Sequence, residues 1–245
     1  MSPEKRVKHR DEHEVNGTNN SIGMRPEQQA LDQVAARHPL RPLNMLQKHV
    51  LFWDQDCDGI IWPWQIYQGF RELGFNVVYS LGSLLIPLFF SYPTRLGHSW
   101  IPDPFFRIYV DTGNKSKHGS DSGIYTFDGD FNEDRFNEMF EYFDEDNVGG
   151  LSADEMWKLW QKNRCSWDPW GWCFAFMEWS TTWLLLQREG RVWKEDFRAC
   201  YDGTIFWKIS YERTQGDGWQ QGYGLRDFFR GMWKGRTWRL WELEK

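Results

Sequence analysis

The stretch Asp54-Gln-Asp-Cys-Asp-Gly-Ile-Ile-Trp-Pro-Trp-Gln65 closely follows the pattern of an EF-hand calcium loop. Asp54, Asp56 and Asp58 provide carboxylates at loop positions 1, 3 and 5. Ile60 offers its backbone carbonyl oxygen at position 7, after the glycine at which such a loop turns. At position 12, Gln65 replaces the usual Glu, so one amide oxygen stands where two carboxylate oxygens are expected. We predict a calcium site of reduced affinity formed by these five residues; the alternative is an acidic turn without metal.

A second stretch, residues 144–155, repeats the pattern in a degenerate form. Asp144, Asp146 and Glu155 occupy positions 1, 3 and 12, but Val148 at position 5 cannot ligate a metal. Apolar residues recur at helical spacing before each loop. We therefore predict a mainly α fold of paired EF-hand-like helix–loop–helix units, with one near-complete calcium loop and one degenerate loop as its structural partner. Calcium binding by the second loop is the alternative.

The composition favours lipid over nucleic acid as a partner. The formal net charge is −6, from 29 basic and 35 acidic side chains, whereas nucleic-acid-binding proteins usually carry a basic excess. The chain is also rich in aromatic residues, with 17 Trp and 18 Phe. These residues build cores, but Trp also collects at membrane interfaces, and aromatic side chains line pockets for apolar ligands.

The cysteines and the beginning of the chain indicate a protein that faces the cytosol. Four cysteines, at positions 57, 165, 173 and 200, have an irregular spacing that matches neither a zinc motif nor a small disulfide framework. We interpret them as reduced thiols. Residues 1–35 are polar and charged, so we expect no secretory signal peptide there.

In the segment 75–104, the first sixteen residues, 75–90, include no charged side chain. A membrane-spanning helix needs about twenty apolar residues, and shorter apolar segments lie more often in a core, at an interface or in a re-entrant turn. Pro87 should also break or kink a helix here. We predict a membrane-associating hairpin that enters one leaflet; the alternative is a buried helix followed by an irregular loop.

These features divide the chain into five segments. The first and last contain no motif that we can assign, and the first has few large apolar side chains. The segments are a disordered polar tail (1–41), an EF-hand unit (42–74), the apolar, proline-containing segment (75–104), a helical region with the degenerate loop (105–210) and a Trp-, Arg- and Gly-rich tail of unknown role (211–245).

The histidines are candidates for binding a cofactor, because imidazole is a frequent ligand of haem iron. His9, His13 and His38 lie in or near the polar tail, and we expect them to be solvated. His49 lies on an apolar helix face just before the calcium loop. It is either a hydrogen-bonded core residue or a haem ligand, and its position in the helix does not decide between the two.

Several stretches of the chain resemble the caleosin family and occur in the order typical of that family. The longest is Leu46-Gln-Lys-His-Val-Leu-Phe-Trp53 together with the loop that follows it to Gln65. The others are Gly69-Phe70-Arg71, Ser91-Tyr92-Pro93-Thr94, Lys117-His118-Gly119-Ser120-Asp121-Ser122-Gly123, Leu151-Ser152, Asn163-Arg164, Trp167–Trp179 and Cys200-Tyr-Asp-Gly-Thr-Ile-Phe206. The resemblance covers roughly residues 42–210.

The resemblance implies a calcium-binding protein of lipid droplets and endoplasmic reticulum membranes, with haem b and Ca²⁺ as cofactors. It implies a peroxygenase of the plant-seed type, which transfers oxygen from a fatty-acid hydroperoxide to an unsaturated lipid. The family's two haem-associated histidines correspond to His49 and His118, so these are the expected catalytic and cofactor-binding residues. His49 is our choice for the axial ligand, and His118 either dissociates from the iron or acts as a distal acid–base catalyst. The alternative is a non-enzymatic, calcium-binding coat protein of lipid droplets.

Overall fold

A computed structural model of the chain describes residues 25–214, and the mainly α fold predicted from the sequence is confirmed there. The helices are Pro26–Arg37 (α1), Met45–Val50 (α2), Pro63–Glu72 (α3), Val77–Gly82 (α4), Leu85–Arg95 (α5), Glu133–Phe143 (α6), Ala153–Asn163 (α7), Pro169–Leu186 (α8), Lys194–Tyr201 (α9) and Thr204–Thr214 (α10). A 3₁₀ segment covers Val110–Ser116, and the strands are Ile60–Ile61 (β1), Ile108–Tyr109 (β2), Gly150–Ser152 (β3) and Arg191–Trp193 (β4).

Both predicted loops have the local form of an EF-hand, in which a helix, a turn, a short strand and a second helix follow one another. Gly59 and Gly149 at loop position 6 adopt left-handed backbone angles, with φ of 81° and 84°. Glycine reaches this conformation at little steric cost, so the two loops can turn where a calcium loop must turn.

The two EF-hand-like units each pair their loop strand with a strand outside the other loop. β1 is antiparallel to β2, with Ile60 opposite Tyr109. β3 is antiparallel to β4, with Leu151 opposite Val192. Each loop thus pairs with a short strand that has no acidic loop of its own. β2 and β4 are only two and three residues long, so their sequences are too short to predict this pairing.

The last two described helices connect the two EF-hand units. Phe206 of α10 packs on Phe52 of the first unit, and Phe197 of α9 packs on Phe140 of the second, each with ring centroids 5.9 Å apart. All four rings belong to one continuous buried core. This packing brings the turn between α9 and α10 close to α2.

The apolar segment forms two consecutive helices, α4 and α5, with only Ser83 and Leu84 between them. Both intervening residues have right-handed helical angles, so the structure has two helices in series where the sequence predicted a hairpin. Pro87 does not end α5, because it lies in the first turn, where a missing N–H is tolerated. Among the described residues, Val77–Arg95 alone is long and apolar enough to cross a membrane by length and composition.

Ordered structure begins earlier than the sequence predicted. α1 falls within the predicted tail, yet it lies against α10 and buries Leu31 and Val34 beside Leu51. Those two apolar side chains are a weak sequence signal, but they are enough to dock one face of a helix onto an existing core. The remainder of the predicted tails, 1–24 with His9 and His13 and 215–245, lies outside the described residues.

Candidate functional site

The first loop gathers its three carboxylates. Asp54, Asp56 and Asp58 each place a carboxylate oxygen within 4.8 Å of the others. The buried Asp54 accepts the backbone N–H of Asp58 (3.2 Å) on Oδ1 and that of Gly59 (3.0 Å) on Oδ2, whereas the other two carboxylates are exposed. Ile60 begins β1. The predicted ligands are therefore close together and suited in type to a hard cation.

Gln65 presents a hydrogen-bond donor to this loop. Its Oε1 accepts the backbone N–H of Trp62 (2.7 Å), so its Nε2 lies on the other side and donates to Asp56 Oδ1 (3.1 Å). In this orientation position 12 supplies no oxygen to a metal. For Gln65 to ligate calcium, its amide has to turn over and give up the bond from Trp62.

His38 contacts the first carboxylate of the loop, although its place near the polar tail predicted a solvated side chain. Its side chain is fully buried, because α1 docks on the core just before it. Nδ1 accepts the N–H of Leu40 (3.1 Å), so Nε2 carries the proton and donates to Asp54 Oδ2 (2.9 Å). Desolvation raises the pKa of Asp54 despite this bond. His38 thus fixes the carboxylate at position 1, as outer-shell groups orient metal ligands.

His49 lies on α2, one turn before the first loop. Its Nδ1 is 2.6 Å from the backbone carbonyl oxygen of Cys200. A carbonyl oxygen only accepts, so Nδ1 carries the proton and Nε2 keeps a lone pair. Within residues 25–214 the ring makes no other hydrogen bond. Burial lowers the pKa of His49, which favours this neutral form.

The turn between α9 and α10 packs directly against the backbone of α2. A Cβ at Gly203 would lie 2.6 Å from the carbonyl oxygen of Lys48 and 3.0 Å from the Cα of His49, so glycine is required for this approach. Phe206 meets the His49 ring edge-on with centroids 5.1 Å apart, and Tyr125 does so at 6.2 Å. Backbone and aromatic contacts together fix the orientation of the imidazole.

Three ionisable side chains around Tyr125, whose ring contacts His49, have raised pKa values. Glu178 of α8 is solvent-accessible, yet desolvation raises its pKa to about 8, with a smaller contribution from the charge of Asp121. Tyr125 and Tyr201 also keep accessible surface while desolvation raises their pKa values, and the charge of Glu178 acts on both. Desolvation penalises the charged form of each group, so the protonated, uncharged forms of Glu178, Tyr125 and Tyr201 are favoured.

His118 has the opposite tautomer to His49. Its Nδ1 accepts the backbone N–H of Ser120 (3.2 Å), so its Nε2 carries the proton. Asp168, the residue that caps α8, lies 3.8 Å from Nδ1 and accepts the Ser120 hydroxyl (2.7 Å). Phe174 packs against the ring with centroids 5.5 Å apart, and desolvation lowers the pKa of His118. His118 therefore offers an N–H donor where His49 offers a lone pair.

One loop, residues 118–125, connects the surroundings of the two histidines. Ser122 hydrogen-bonds the hydroxyl of Tyr201 (3.1 Å), and the Tyr125 hydroxyl donates to the Tyr201 carbonyl oxygen (2.6 Å). In the described part of the chain, no hydrogen bond or ring contact joins His49 directly to His118. The structure thus holds both histidines on one framework without bringing them into contact.

Comparison with known proteins agrees with this arrangement. A sequence model described as caleosin related protein matches residues 41–210. The chain belongs to the caleosin family. A peroxygenase from Lilium longiflorum is 35% identical over 179 residues, which is 72% of this chain and 74% of the lily protein. Probable peroxygenase 4 from Arabidopsis thaliana is 35% identical over 173 residues, which is 70% of this caleosin and 88% of the Arabidopsis protein.

A third relative has a different name. The Arabidopsis thaliana protein called probable inactive peroxygenase-like protein is 31% identical over 91 residues, or 37% of this caleosin and 44% of that protein. No solved structure matches the chain. The matched model and the two longer relatives therefore establish the family of the chain.

The residues around His49 fit a haem group. A histidine that ligates iron needs a free lone pair on one ring nitrogen and a hydrogen bond from the other, and His49 has both. Trp53 lies beside the His49 ring with centroids 6.1 Å apart, and its indole edge packs against Gly69 of α3. Aromatic side chains of this kind line sites for apolar ligands.

Sequence reasoning missed the groups that position the two histidines. Cys200 contacts His49 with its backbone carbonyl, which any residue type could provide. Gly203 matters because it has no Cβ, so the turn can approach the backbone of α2. Both residues lie in the stretch Cys200–Phe206, which resembles the caleosin family. The resemblance therefore pointed to this region but did not indicate the role of either residue. Asp168 lies at the start of a Trp-rich stretch, where the aromatic residues dominate the pattern.

Proposed function

We propose that this caleosin is a haem-dependent peroxygenase that transfers oxygen from a fatty-acid hydroperoxide to an unsaturated lipid, by epoxidation or hydroxylation. The hydrogen bond from His49 Nδ1 to the Cys200 carbonyl carries the proposal, because it leaves the lone pair of Nε2 available to ligate the iron of haem b. Membership of the family and the names of the lily and Arabidopsis peroxygenases support it.

The cofactor and the protein divide the work. Haem, when bound, supplies cleavage of the peroxide O–O bond and oxygen transfer. The protein would hold that group through His49, beside which Trp53, Tyr125 and Phe206 pack, and would provide a hydrogen-bond donor for the peroxide. In this proposal the Nε2–H of His118 hydrogen-bonds the hydroperoxide oxygen that leaves as the alcohol, and that oxygen gains the hydroperoxide's own O–H proton. Ligation by His118 Nε2 instead would move the proton to Nδ1 and break the bond from Ser120, so this acid-type role is favoured.

The first loop is the proposed calcium site. Asp54, Asp56 and Asp58 would supply carboxylate oxygens, Ile60 its carbonyl and Gln65 its amide oxygen once that amide has turned over. The loop follows the His49 helix directly, so calcium would stiffen the segment that carries the proposed haem ligand.

Lipid droplets or the endoplasmic reticulum membrane, reached from the cytosol, are the proposed surface partner. Along α4 and α5 the outward face is apolar and the inward face is small and polar, the reverse of a helix in a soluble protein. The exposed side chains are Val77, Val78, Leu81, Leu85, Leu88, Tyr92 and Leu96, and the buried polar ones are Ser80, Ser83, Ser91 and Thr94. Trp62, Trp64, Leu84 and Phe105 extend this surface around an apolar depression of about 410 Å³. An exposed apolar stripe of this kind fits the acyl boundary of a lipid monolayer.

Charge on this stripe is expected to prevent lipid binding. Leu85 and Leu88 are 49% and 53% exposed, so about half of each side chain is left to bury, and replacing both with Glu removes about 1 kcal/mol of apolar burial per residue from the lipid-bound state. Flotation with phosphatidylcholine-coated triacylglycerol droplets should therefore fall at least about tenfold. Tyr142→Glu, a change at a similarly exposed residue on α6, is the matched control and should float like the wild type. Undiminished flotation of the double variant would rule out α4–α5 as the lipid-binding surface.

The same surface favours a second candidate function, a non-enzymatic calcium-binding coat protein of lipid droplets. Such a protein uses the apolar stripe and the calcium loop but needs no haem. It would float with droplets, remain colourless after haem supplementation and transfer no oxygen. Flotation alone does not separate the two functions, so the deciding experiment has to follow the oxygen atom.

The deciding experiment follows labelled oxygen from a fatty-acid hydroperoxide into the product. Haem-reconstituted protein is incubated with an ¹⁸O-labelled hydroperoxide and oleic acid, and the epoxide is analysed by mass spectrometry. We expect a Soret band and ¹⁸O in the epoxide. His118→Ala should keep the Soret band and lose about 100-fold or more of the transfer rate, the contribution typical of a general acid. His98→Ala, which removes an exposed histidine paired with Asp111 at 3.0 Å, should change neither.

Each departure from this result has a distinct meaning. Failure of the wild type to bind haem, or an epoxide whose oxygen comes from water or O₂, contradicts the peroxygenase and leaves the coat protein. A Soret band lost in His118→Ala assigns His118 as an iron ligand and ends its proposed role as the acid.

A further inference from the structure

The second loop already holds a cation from its own chain. Asp144, Asp146 and Glu155 bring carboxylate oxygens within 4.8 Å of one another, a cluster that would repel itself without a positive charge nearby. Arg191, the first residue of β4, extends its side chain to this cluster. Its guanidinium contacts Asp146 Oδ2 through Nη2 and Glu155 Oε2 through Nη1 at 3.2 Å.

The third contact of Arg191 completes the resemblance to a bound calcium ion. Nη1 also donates to the backbone carbonyl oxygen of Gly150 at 2.7 Å. The three groups touched, Asp146, Gly150 and Glu155, stand at loop positions 3, 7 and 12, and calcium takes an oxygen from each of these positions in an EF-hand. Arg191 therefore satisfies three of the groups that a metal would ligate.

The remaining oxygens of the loop are occupied by the loop itself. Asp144 accepts the backbone N–H groups of Val148 (3.1 Å) and Gly149 (2.7 Å), and Glu155 accepts those of Glu145 (3.0 Å) and Ser152 (2.6 Å). Desolvation acts to raise the pKa of Glu155, but these bonds and the charge of Arg191 outweigh it, so the pKa lies below its usual value. The carboxylate is thus ionised and fully bonded without a metal.

We propose that Arg191 is the resident cation of the second loop and takes the place of calcium there. The loop keeps its EF-hand shape because a tethered guanidinium replaces the ion, and β4 stays paired with β3 at any calcium concentration. A fixed planar fork with several donors can satisfy a carboxylate and a carbonyl at the same time, which a lysine ammonium does less well. All calcium response of the described chain then comes from the first loop, where no Arg or Lys side chain bonds to the three carboxylates of residues 54, 56 and 58.

Removal of Arg191 should convert the second loop into a calcium site. The test starts from protein with a silenced first loop, Asp56→Ala with Asp58→Ala, both of which change exposed residues. Adding Arg191→Met should create one calcium site per chain with a Kd on the order of 10⁻⁴–10⁻³ M, as expected for a loop that lacks a ligand at position 5. Calorimetry with Ca²⁺ and Tb³⁺ luminescence measure it; Trp193, which packs on Gly150, serves as the sensitiser.

Two further variants distinguish replacement of calcium from a general loss of charge. Arg198→Met removes a cation that pairs with Glu133 outside the loop and should create no site. Glu155→Gln, added to Arg191→Met, should abolish the new site. The proposal is overturned if the parent with Arg191 intact binds calcium in the second loop as tightly as Arg191→Met, or if Arg191→Met gains no calcium site.

A milder variant keeps the test decisive if Arg191→Met does not fold. Arg191→Gln removes the charge but keeps a polar side chain. Saturating Ca²⁺ should raise the melting temperature of Arg191→Gln by a few degrees and leave that of the silenced parent unchanged. Equal responses of the two proteins to calcium contradict the replacement.

Discussion

Gln65→Glu is expected to raise the calcium affinity of the first loop by about 100-fold or more, because ligand charge and number set the affinity of such loops. At present the Gln65 amide turns its Nε2 toward Asp56 and gives no oxygen to the loop. A carboxylate has an oxygen on both sides. One oxygen can keep the bond from the Trp62 N–H while the carboxylate faces the metal. Calorimetric titration of wild type and variant measures the difference directly.

Gln47→Glu is the matched control for this gain. Gln47 holds the same place in α2 that Gln65 holds in α3, since its Oε1 accepts the backbone N–H of the capping residue Asn44 (3.0 Å). The Gln47→Glu substitution adds the same negative charge outside the calcium loop, so it should leave the calcium affinity within about threefold of the wild type. Tight calcium binding by the wild type, unimproved by Glu at position 65, would mean that the amide orientation does not limit the site.

The local chemistry of both loops could be predicted from the sequence, because an EF-hand loop is specified by nearby residues. Carboxylates two positions apart and one glycine give the turn at Gly59 without reference to the rest of the chain. The predicted helices before and after each loop follow from apolar residues at helical spacing. The family resemblance adds His49 and His118, which spacing alone could not single out.

The long-range partners of these loops could not be predicted in this way. His38 and Asp54 are 16 residues apart, and the sequence gives no reason for a histidine at the end of a polar segment to be buried. Cys200 meets His49 across 151 residues and does so with its backbone. Arg191 reaches Asp146 across 45 residues from a strand too short to recognise. In each case the contact depends on tertiary packing, which a single sequence does not encode locally.

The tautomers of the two histidines also depend on tertiary structure. A carbonyl at Nδ1 makes His49 a lone-pair donor at Nε2, and a backbone N–H at Nδ1 makes His118 a proton donor at Nε2. The sequence offered two equivalent imidazoles. The backbone groups that face them assign different chemistry to each, so exchanging ligand and acid roles would require both surroundings to change.

His49→Ala is expected to abolish haem binding, since it removes the only proposed axial ligand that has a free lone pair and a fixed ring. Haem-supplemented variant protein should show no Soret band after gel filtration. The Cys200 carbonyl loses its partner as well, so the free energy of unfolding should fall by about 1–3 kcal/mol. Denaturant unfolding of the haem-free proteins measures that loss separately from haem binding.

Imidazole rescue separates lost ligation from damaged structure. The cavity left by His49→Ala is bounded by Phe206 and Tyr125, and free imidazole can occupy it and donate to the Cys200 carbonyl in place of the missing side chain. Added imidazole should therefore restore a Soret band to His49→Ala. Gly203→Ala is the structural comparison, because it displaces the α2 backbone without removing a ligand, and imidazole should not restore haem binding there. A His49→Ala protein that retains haem without imidazole would transfer the axial role to another residue, and His118 would be the first to examine.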